Sequence, residues 1–166
     1  VMGIDEVHRY DLRVPMLDAP EKKIPYDDAV KVILTALEPM GTEYVDTAKM
    51  AFDSRWLDVY ETANKRSGAY SWGTPFSPHP FMLLNYHGTR NDRSTVAHEL
   101  GHTMHSWLTT KRQPLAYAGY ATFCAEVAST VNEVLLSEYL MNNAKSDMER
   151  LLILQEQIES IRTTVI

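Results

Sequence analysis

The chain has 166 residues, 45% hydrophobic and 23% charged, with a formal net charge of −6. That composition is ordinary for a globular protein, and the length suffices for one hydrophobic core. Basic residues form no cluster beyond the pairs Lys22–Lys23, Lys65–Arg66 and Lys111–Arg112, which argues against a nucleic-acid partner, and no apolar run approaches the roughly 20 residues of a membrane span.

Residues 1–25 read as irregular, punctuated by Pro15, Pro20 and Pro25, with Tyr10–Pro15 alternating like a short strand. Asp27–Asp28 opens a helix from Ala29 to about Glu38, with Val30, Ile33, Leu34 and Leu37 on one face, and Pro39–Met40–Gly41 stops it. Thr42 is expected to cap a second helix to about Phe52, turning Tyr44, Val45, Ala48 and Phe52 inward. Arg55–Tyr60 suits either a helical turn or a short extended piece. Lys65–Gly73 has glycine near both ends and aromatics at alternate positions, so it reads as a strand. Phe81–Tyr86 reads as a second strand, antiparallel to the first. A helix from Thr95 to Leu108 follows, with Asn91–Asp92 and Ser94–Thr95 as N-cap candidates. Two more helices are expected, from Tyr117 to about Asn142 and from Asp147 to Ile166. The order is helix, helix, hairpin, helix, helix, helix, and no internal domain boundary is visible. Cys124 is the only cysteine. It excludes an internal disulfide, leans towards a reducing, cytoplasmic setting, and is most simply a small buried apolar residue.

The third helix carries His98-Glu99-Leu100-Gly101-His102, a match to H-E-x-x-H. Residues at i and i+4 sit one above the other on a helix, so His98 and His102 can present two imidazole nitrogens to one metal ion. Glu99 projects beside the same point, where it can take a proton from water. Gly101 inside a helix costs about 1 kcal/mol against alanine, and its place between two ligands points to something packed close against the backbone.

Catalytic zinc commonly takes three protein ligands and leaves one position open. His105 lies on the same face as His98 but about 10 Å further along the axis, too far to share one ion easily. It is better read as a neighbour of the cleft. Leu108 and Thr109 stand where the third histidine of the longer H-E-x-x-H-x-x-G-x-x-H pattern would fall. A carboxylate from the next helix remains, with Glu126, Glu133 and Glu138 as candidates. Glu126 is favoured because Ala125, Ala128 and Ser129 beside it let that helix approach closely, and a carboxylate there is costly to bury unless paired. Glu133, its rival, also suits a role as acceptor for a ligand imidazole.

The run His98–Ser106, followed by Phe123-Cys124-Ala125-Glu126-Val127-Ala128-Ser129-Thr130-Val131-Asn132-Glu133, resembles the oligoendopeptidase F branch of the thimet oligopeptidase family of zinc metallopeptidases. Gly3–Leu12, Lys65–Gly73 and Pro80–Tyr86 agree with it. The resemblance implies Glu126 as third ligand, one Zn²⁺ per chain, and a mainly α fold. In that fold a helical catalytic core carries a small β-hairpin or sheet beside the active-site helix and lines a deep channel. It also implies tyrosine and histidine residues on a downstream loop that stabilise the oxyanion, and an N-terminal helical half, neither of which this sequence contains. Residues 1–166 therefore read as one partial catalytic domain of a longer chain, in which a signal peptide ahead of Val1 would not be visible.

The function expected on these grounds is zinc-dependent cleavage of internal bonds in short peptides, with Glu99 as general base and His98, His102 and Glu126 as ligands. His105, Ser129, Glu133, Gly68, Ala69 and Tyr70 are candidates for support of the ligands or for the substrate cleft. Backbone groups of Gly68–Trp72 are suited to pairing with an extended peptide. Tyr70, Trp72, Phe76, Phe81 and Tyr86 are further cleft candidates, while His79 and His87 read as solvated or locally hydrogen-bonded. Residues 1–166 alone are expected to hydrolyse peptides poorly and to self-associate through apolar faces such as Leu151–Val165. The competing readings are a zinc-binding helical module without catalysis of its own, and a helical interaction domain with an accidental motif.

Overall fold

The computed structural model describes residues 22–165 together with Glu6, His8 and Leu17. The strand expected at Tyr10–Pro15 lies outside the described residues, as does the matching segment Gly3–Leu12 apart from Glu6 and His8. Five helices are described: α1 Tyr26–Ala36, α2 Thr42–Asp53, α3 Arg90–Arg112, α4 Thr122–Asn143 and α5 Asp147–Val165. Three short strands, β1 Leu57–Asp58, β2 Tyr70–Trp72 and β3 Phe81–Leu83, form one sheet in the order β1-β3-β2. β3 pairs antiparallel with β2 and parallel with β1. The expected hairpin is thus present but shorter, and the segment around Leu57 extends it to three strands. Among the described residues no helix is long and apolar enough to cross a membrane.

α3 is the axis of the fold. It starts five residues before the expected Thr95, because the N-cap is Thr89 rather than any of Asn91, Asp92, Ser94 or Thr95. Thr89 Oγ1 accepts from the Asp92 amide at 3.0 Å, and Asp92 Oδ2 accepts from the Thr89 amide at 2.9 Å. This reciprocal capping box satisfies two amide donors at the helix start and puts a carboxylate at the positive end of its dipole. Asp92 serves here in the place usually taken by glutamate. Lys111 and Arg112 complement the other end. α2 likewise begins differently from expectation, with Gly41 at φ 88° as its N-cap and Thr42 as its first residue. α4 starts at Thr122 rather than Tyr117. Pro114 and the 3₁₀ turn Leu115–Tyr117 take up the intervening chain.

One face of α3 builds the core. Val96, Ala97, Leu100 and Met104 are fully buried and meet Ala29, Ile33 and Leu37 of the first helix and its exit, Ala48 of α2, Met82 and Leu84 of the β3 segment, and Leu136 of α4. Full burial of a Leu, Ile or Met side chain stabilises by roughly 1.5–3 kcal/mol. Fixing α3 by this face turns the strip containing His98 and His102 towards α4. Cys124, expected to be buried, is exposed in the first turn of α4. It faces away from the core because α4 packs through the face formed by Ala125, Ser129, Asn132 and Leu136.

Candidate active site

The site is assembled where α3 and α4 touch. A Cβ placed on Gly101 would lie 2.6 Å from both the Ala128 carbonyl oxygen and Ser129 Cα, so the two backbones are in direct contact at that residue. Glycine is required here by space, as its position between the two histidines suggested. The small residues Ala125 and Ala128 and the fully buried Ser129 form the α4 side of the approach.

Across this contact three donor atoms converge. His98 Nε2 and His102 Nε2 are 3.0 Å apart, and Glu126 Oε2 is 3.6 Å from the first and 3.7 Å from the second. A tetrahedral ion with bonds of 2.0–2.1 Å spaces its ligand atoms by about 3.3 Å, so the triangle has the size zinc requires. His98 Nδ1 donates to Glu133 Oε1 at 3.0 Å, and the His102 ring is hydrogen-bonded to the Ala125 carbonyl. With the ring protons so engaged, both Nε2 lone pairs face one point, an arrangement that calls for a cation between them. Among the described residues no other group of His, Cys, Asp and Glu is arranged to hold a metal ion.

Each donor is held. Ser129 Oγ lies 2.9 Å from the Glu126 backbone oxygen and 3.2 Å from Glu126 Oε2, so its hydroxyl can steady the carboxylate. Asn132 is fully buried, donates from Nδ2 to the Ala97 carbonyl at 3.1 Å, and accepts the Tyr44 hydroxyl at 2.9 Å. It fixes the register of α4 against the residue preceding His98 and against α2. Burial pushes the Tyr44 phenol up to about 12, so it stays a donor. The bond to Glu133 raises the His98 pKa against the opposing effect of burial. Burial and then the neighbouring His98 lower that of His102.

Glu99 sits on the same turn, only 7% exposed, and burial raises its pKa. Its Oε2 is buried and has no hydrogen-bond partner. An acceptor left open beside a converging donor set is what a proton-accepting carboxylate needs. His105 stands apart from the triangle, as its distance along the helix implied. Its ring packs on Tyr120 with centroids 4.2 Å apart, and Nδ1 is buried without a partner.

An open cleft of about 770 Å³ runs from His98 and Glu126 past Glu133 to α5, where Ile153, Gln157 and Ser160 form the far wall. Gly68 and Ala69 line a different cleft of about 340 Å³ near the start of α3, and the Gly68 carbonyl accepts from Asn85 Nδ2 at 2.8 Å. Tyr70, Trp72, Phe76 and Phe81 have exposed side chains. Tyr86 also lines that smaller cleft but is largely buried in the core, and its hydroxyl donates to the Ile24 carbonyl at 2.9 Å. His79 stacks on Trp56 and its Nδ1 lies 2.7 Å from the Pro80 carbonyl, while His87 Nε2 faces Glu61 at 3.8 Å, both local roles. Asn132, Tyr44, Thr103 and Ser71 were not singled out from sequence. The signal available for Asn132 was a polar residue on the inward spacing of α4, one place before Glu133.

A helix-borne H-E-x-x-H pair facing a carboxylate from the next helix defines a metallopeptidase-like site. The model of Peptidase family M3 matches residues 2–165, and the chain belongs to that family. It is 45% identical over 165 residues to oligopeptidase PepF of Bacillus subtilis, covering 99% of this chain and 24% of that protein. It is 42% identical to an oligoendopeptidase F homolog of Lactococcus lactis, covering 99% of this chain and 27% of the relative. The chain therefore spans about a quarter of the length of these curated relatives. A crystal structure of a peptidase from Chlamydophila abortus, 45% identical, superposes with a TM-score of 0.84 over 95% of this chain and 26% of the other. The mainly helical fold with its small sheet is shared with that structure.

Proposed function

We propose that the protein carrying this chain is a zinc-dependent endopeptidase acting on oligopeptides, with His98, His102 and Glu126 as metal ligands and Glu99 as general base. The observation that carries this reading is the convergence of two imidazole nitrogens and one carboxylate oxygen beside a buried carboxylate with an open acceptor. The names of the relatives, oligopeptidase and oligoendopeptidase, support the substrate class.

Bound zinc supplies Lewis-acid polarisation and lowers the pKa of water towards 7. The chain's own residues do the rest. Glu133 holds the His98 ring so that Nε2 faces the site, and Ser129 steadies the Glu126 carboxylate. Glu99 Oε2 accepts a proton from the attacking water and returns it to the leaving amine. Burial favours the protonated form of Glu99, which assists the uptake of the proton from water. The cleft along α4 and α5 is wide enough to take peptide side chains on one side of the scissile bond.

The test is Glu99→Gln in the full-length protein. The amide fills the same space but cannot accept the proton, so zinc content stays stoichiometric while cleavage of a fluorogenic oligopeptide falls about 10²–10⁴-fold. Turnover within a few-fold of wild type removes Glu99 from the role. Absence of turnover in a zinc-loaded wild-type protein would favour a zinc-binding module without catalysis.

A further inference from the structure

We propose that Ser71 is a positioning residue for Glu99: its backbone amide holds the Glu99 carboxylate, and its hydroxyl, bonded to Thr103, fixes the strand that carries the amide. The proposal rests on the general-base reading of Glu99 above.

The geometry starts from the sheet register. Ser71 lies opposite Met82. The Met82 amide donates to the Trp56 carbonyl at 2.8 Å, on the β1 side, so the peptide groups of Met82 face away from β2. Ser71↔Met82 is then a non-hydrogen-bonded pair, and the Ser71 N–H points off the free edge of β2. Its approach to the Glu99 carboxylate lowers the Glu99 pKa against the larger effect of burial. A buried carboxylate is costly without a donor, Glu99 Oε2 has no partner, and the Ser71 amide is the donor that the strand edge offers to this carboxylate.

The amide is useful only if β2 is held at one distance from α3. Two contacts do this. Ser71 Oγ lies 2.8 Å from Oγ1 of Thr103, which is fully buried. Two residues on, a Cβ at Gly73 would come within 2.8 Å of Ser106 Cβ, so the strand lies directly on the helix there as well. Glu99 and Thr103 are one helical turn apart on α3, and Ser71 reaches both, one with its backbone and one with its side chain. The alternation of β2 fits this, since Tyr70 and Trp72 turn outward while Ser71 turns towards α3. The arrangement also bears on peptide binding. The outward amide of Ser71 is engaged by Glu99, so a peptide pairing with this edge would have to use the outward groups of Ala69 and Gly73 and the Ser71 carbonyl.

The experiment uses the full-length, zinc-loaded protein with Ser71→Ala, Ser71→Thr, Thr103→Val and the double variant Ser71→Ala/Thr103→Val. Readouts are kcat and KM on a fluorogenic oligopeptide, zinc affinity by chelator competition, and Tm. Loss of the hydroxyl pair lets β2 shift on α3, and kcat falls about 10-fold, with KM and zinc affinity within about twofold of wild type. Ser71→Thr keeps the hydroxyl and holds kcat within about threefold. The double variant is no worse than either single one, because both remove one bond. Wild-type kcat in Ser71→Ala, equal damage in Ser71→Ala and Ser71→Thr, or additive losses in the double variant each overturn the proposal. If Ser71→Ala fails to fold, Thr103→Val against Thr103→Ser makes the same comparison from the helix side. Failure of the general-base reading is separate: it appears as retained turnover in Glu99→Gln, whatever the Ser71 variants do.

Discussion

Gly101→Ala tests the contact on which the whole site depends. In an isolated helix this change stabilises by about 1 kcal/mol, because alanine loses less backbone entropy. Here the added methyl would stand 2.6 Å from the Ala128 oxygen and from Ser129 Cα, against the 3.4 Å at which ordinary van der Waals contact begins. Both neighbours are backbone of a 22-residue helix, so no side chain can swing away. α3 and α4 must separate by about 0.8 Å, the difference of those distances. Overpacking of this kind costs about 1–3 kcal/mol, which outweighs the propensity gain. The separation also draws Glu126 away from His98 and His102 and lengthens the Asn132 bond to Ala97. Zinc affinity should fall about 10–100-fold, comparable with loss of a ligand's hydrogen-bond partner, and Tm should drop by several degrees. The assay is chelator competition for Zn²⁺ on the full-length protein, with thermal unfolding of the metal-free form beside it. A raised Tm with unchanged zinc affinity would mean that propensity alone governs the position and that the helices are not in the contact described.

Glu133→Gln should weaken zinc binding about 10–100-fold at neutral pH, read by the same competition, because the His98 ring loses its charged acceptor. In the metal-free protein the bond to Glu133 raises the His98 pKa, so on acidification His98 takes up a proton above the usual imidazole range and zinc affinity begins to fall there. Affinity measured against pH should show that onset, and Glu133→Gln should move it to lower pH. Thr89→Ala should lower stability by about 1 kcal/mol in denaturant titration through loss of the α3 cap, with zinc affinity unchanged. Tyr44→Phe leaves the Asn132 side chain short of one partner and should cost about 1–3 kcal/mol by the same measurement.

The meeting of His98, His102 and Glu126 at one point was readable from sequence because its signals are local. The i, i+4 spacing of His98 and His102 survives any tertiary arrangement, and the small residues around Glu126 announce a close helix approach. Gly101 belongs with them, since a glycine between ligands has few other uses. Contacts made between segments far apart in the chain were not readable. Nothing near Ser71 says that its amide faces Glu99, because that depends on which edge of a three-stranded sheet β2 occupies. Asn132 looks like one more polar residue on a long helix until Tyr44 and Ala97 are placed around it. The misplaced start of α3 has a different cause. Asp92 fills the place of the usual glutamate in the capping box, so the four candidates nearer the apolar run, Asn91, Asp92, Ser94 and Thr95, stand out ahead of Thr89. Cys124 was misjudged from residue type alone, which cannot see that α4 packs through the face formed by Ala125, Ser129, Asn132 and Leu136.

The backbone contact at Gly101 carries a dynamic consequence. Two helices that touch at the main chain, with Asn132 linking them one turn away, have no soft layer of side chains in which to slide. α3 and α4 should breathe as one unit, and their amides around Gly101 and Ser129 should exchange hydrogen together, near the global unfolding rate. α5 is joined by the Arg90–Glu156 ion pair at 2.9 Å, a bond from Gln157 to Ser137 and the buried side chain of Ile153. The two polar links are ones that water can replace. Movement of the cleft walls should therefore fall on α5, with His98, His102 and Glu126 keeping their mutual distances.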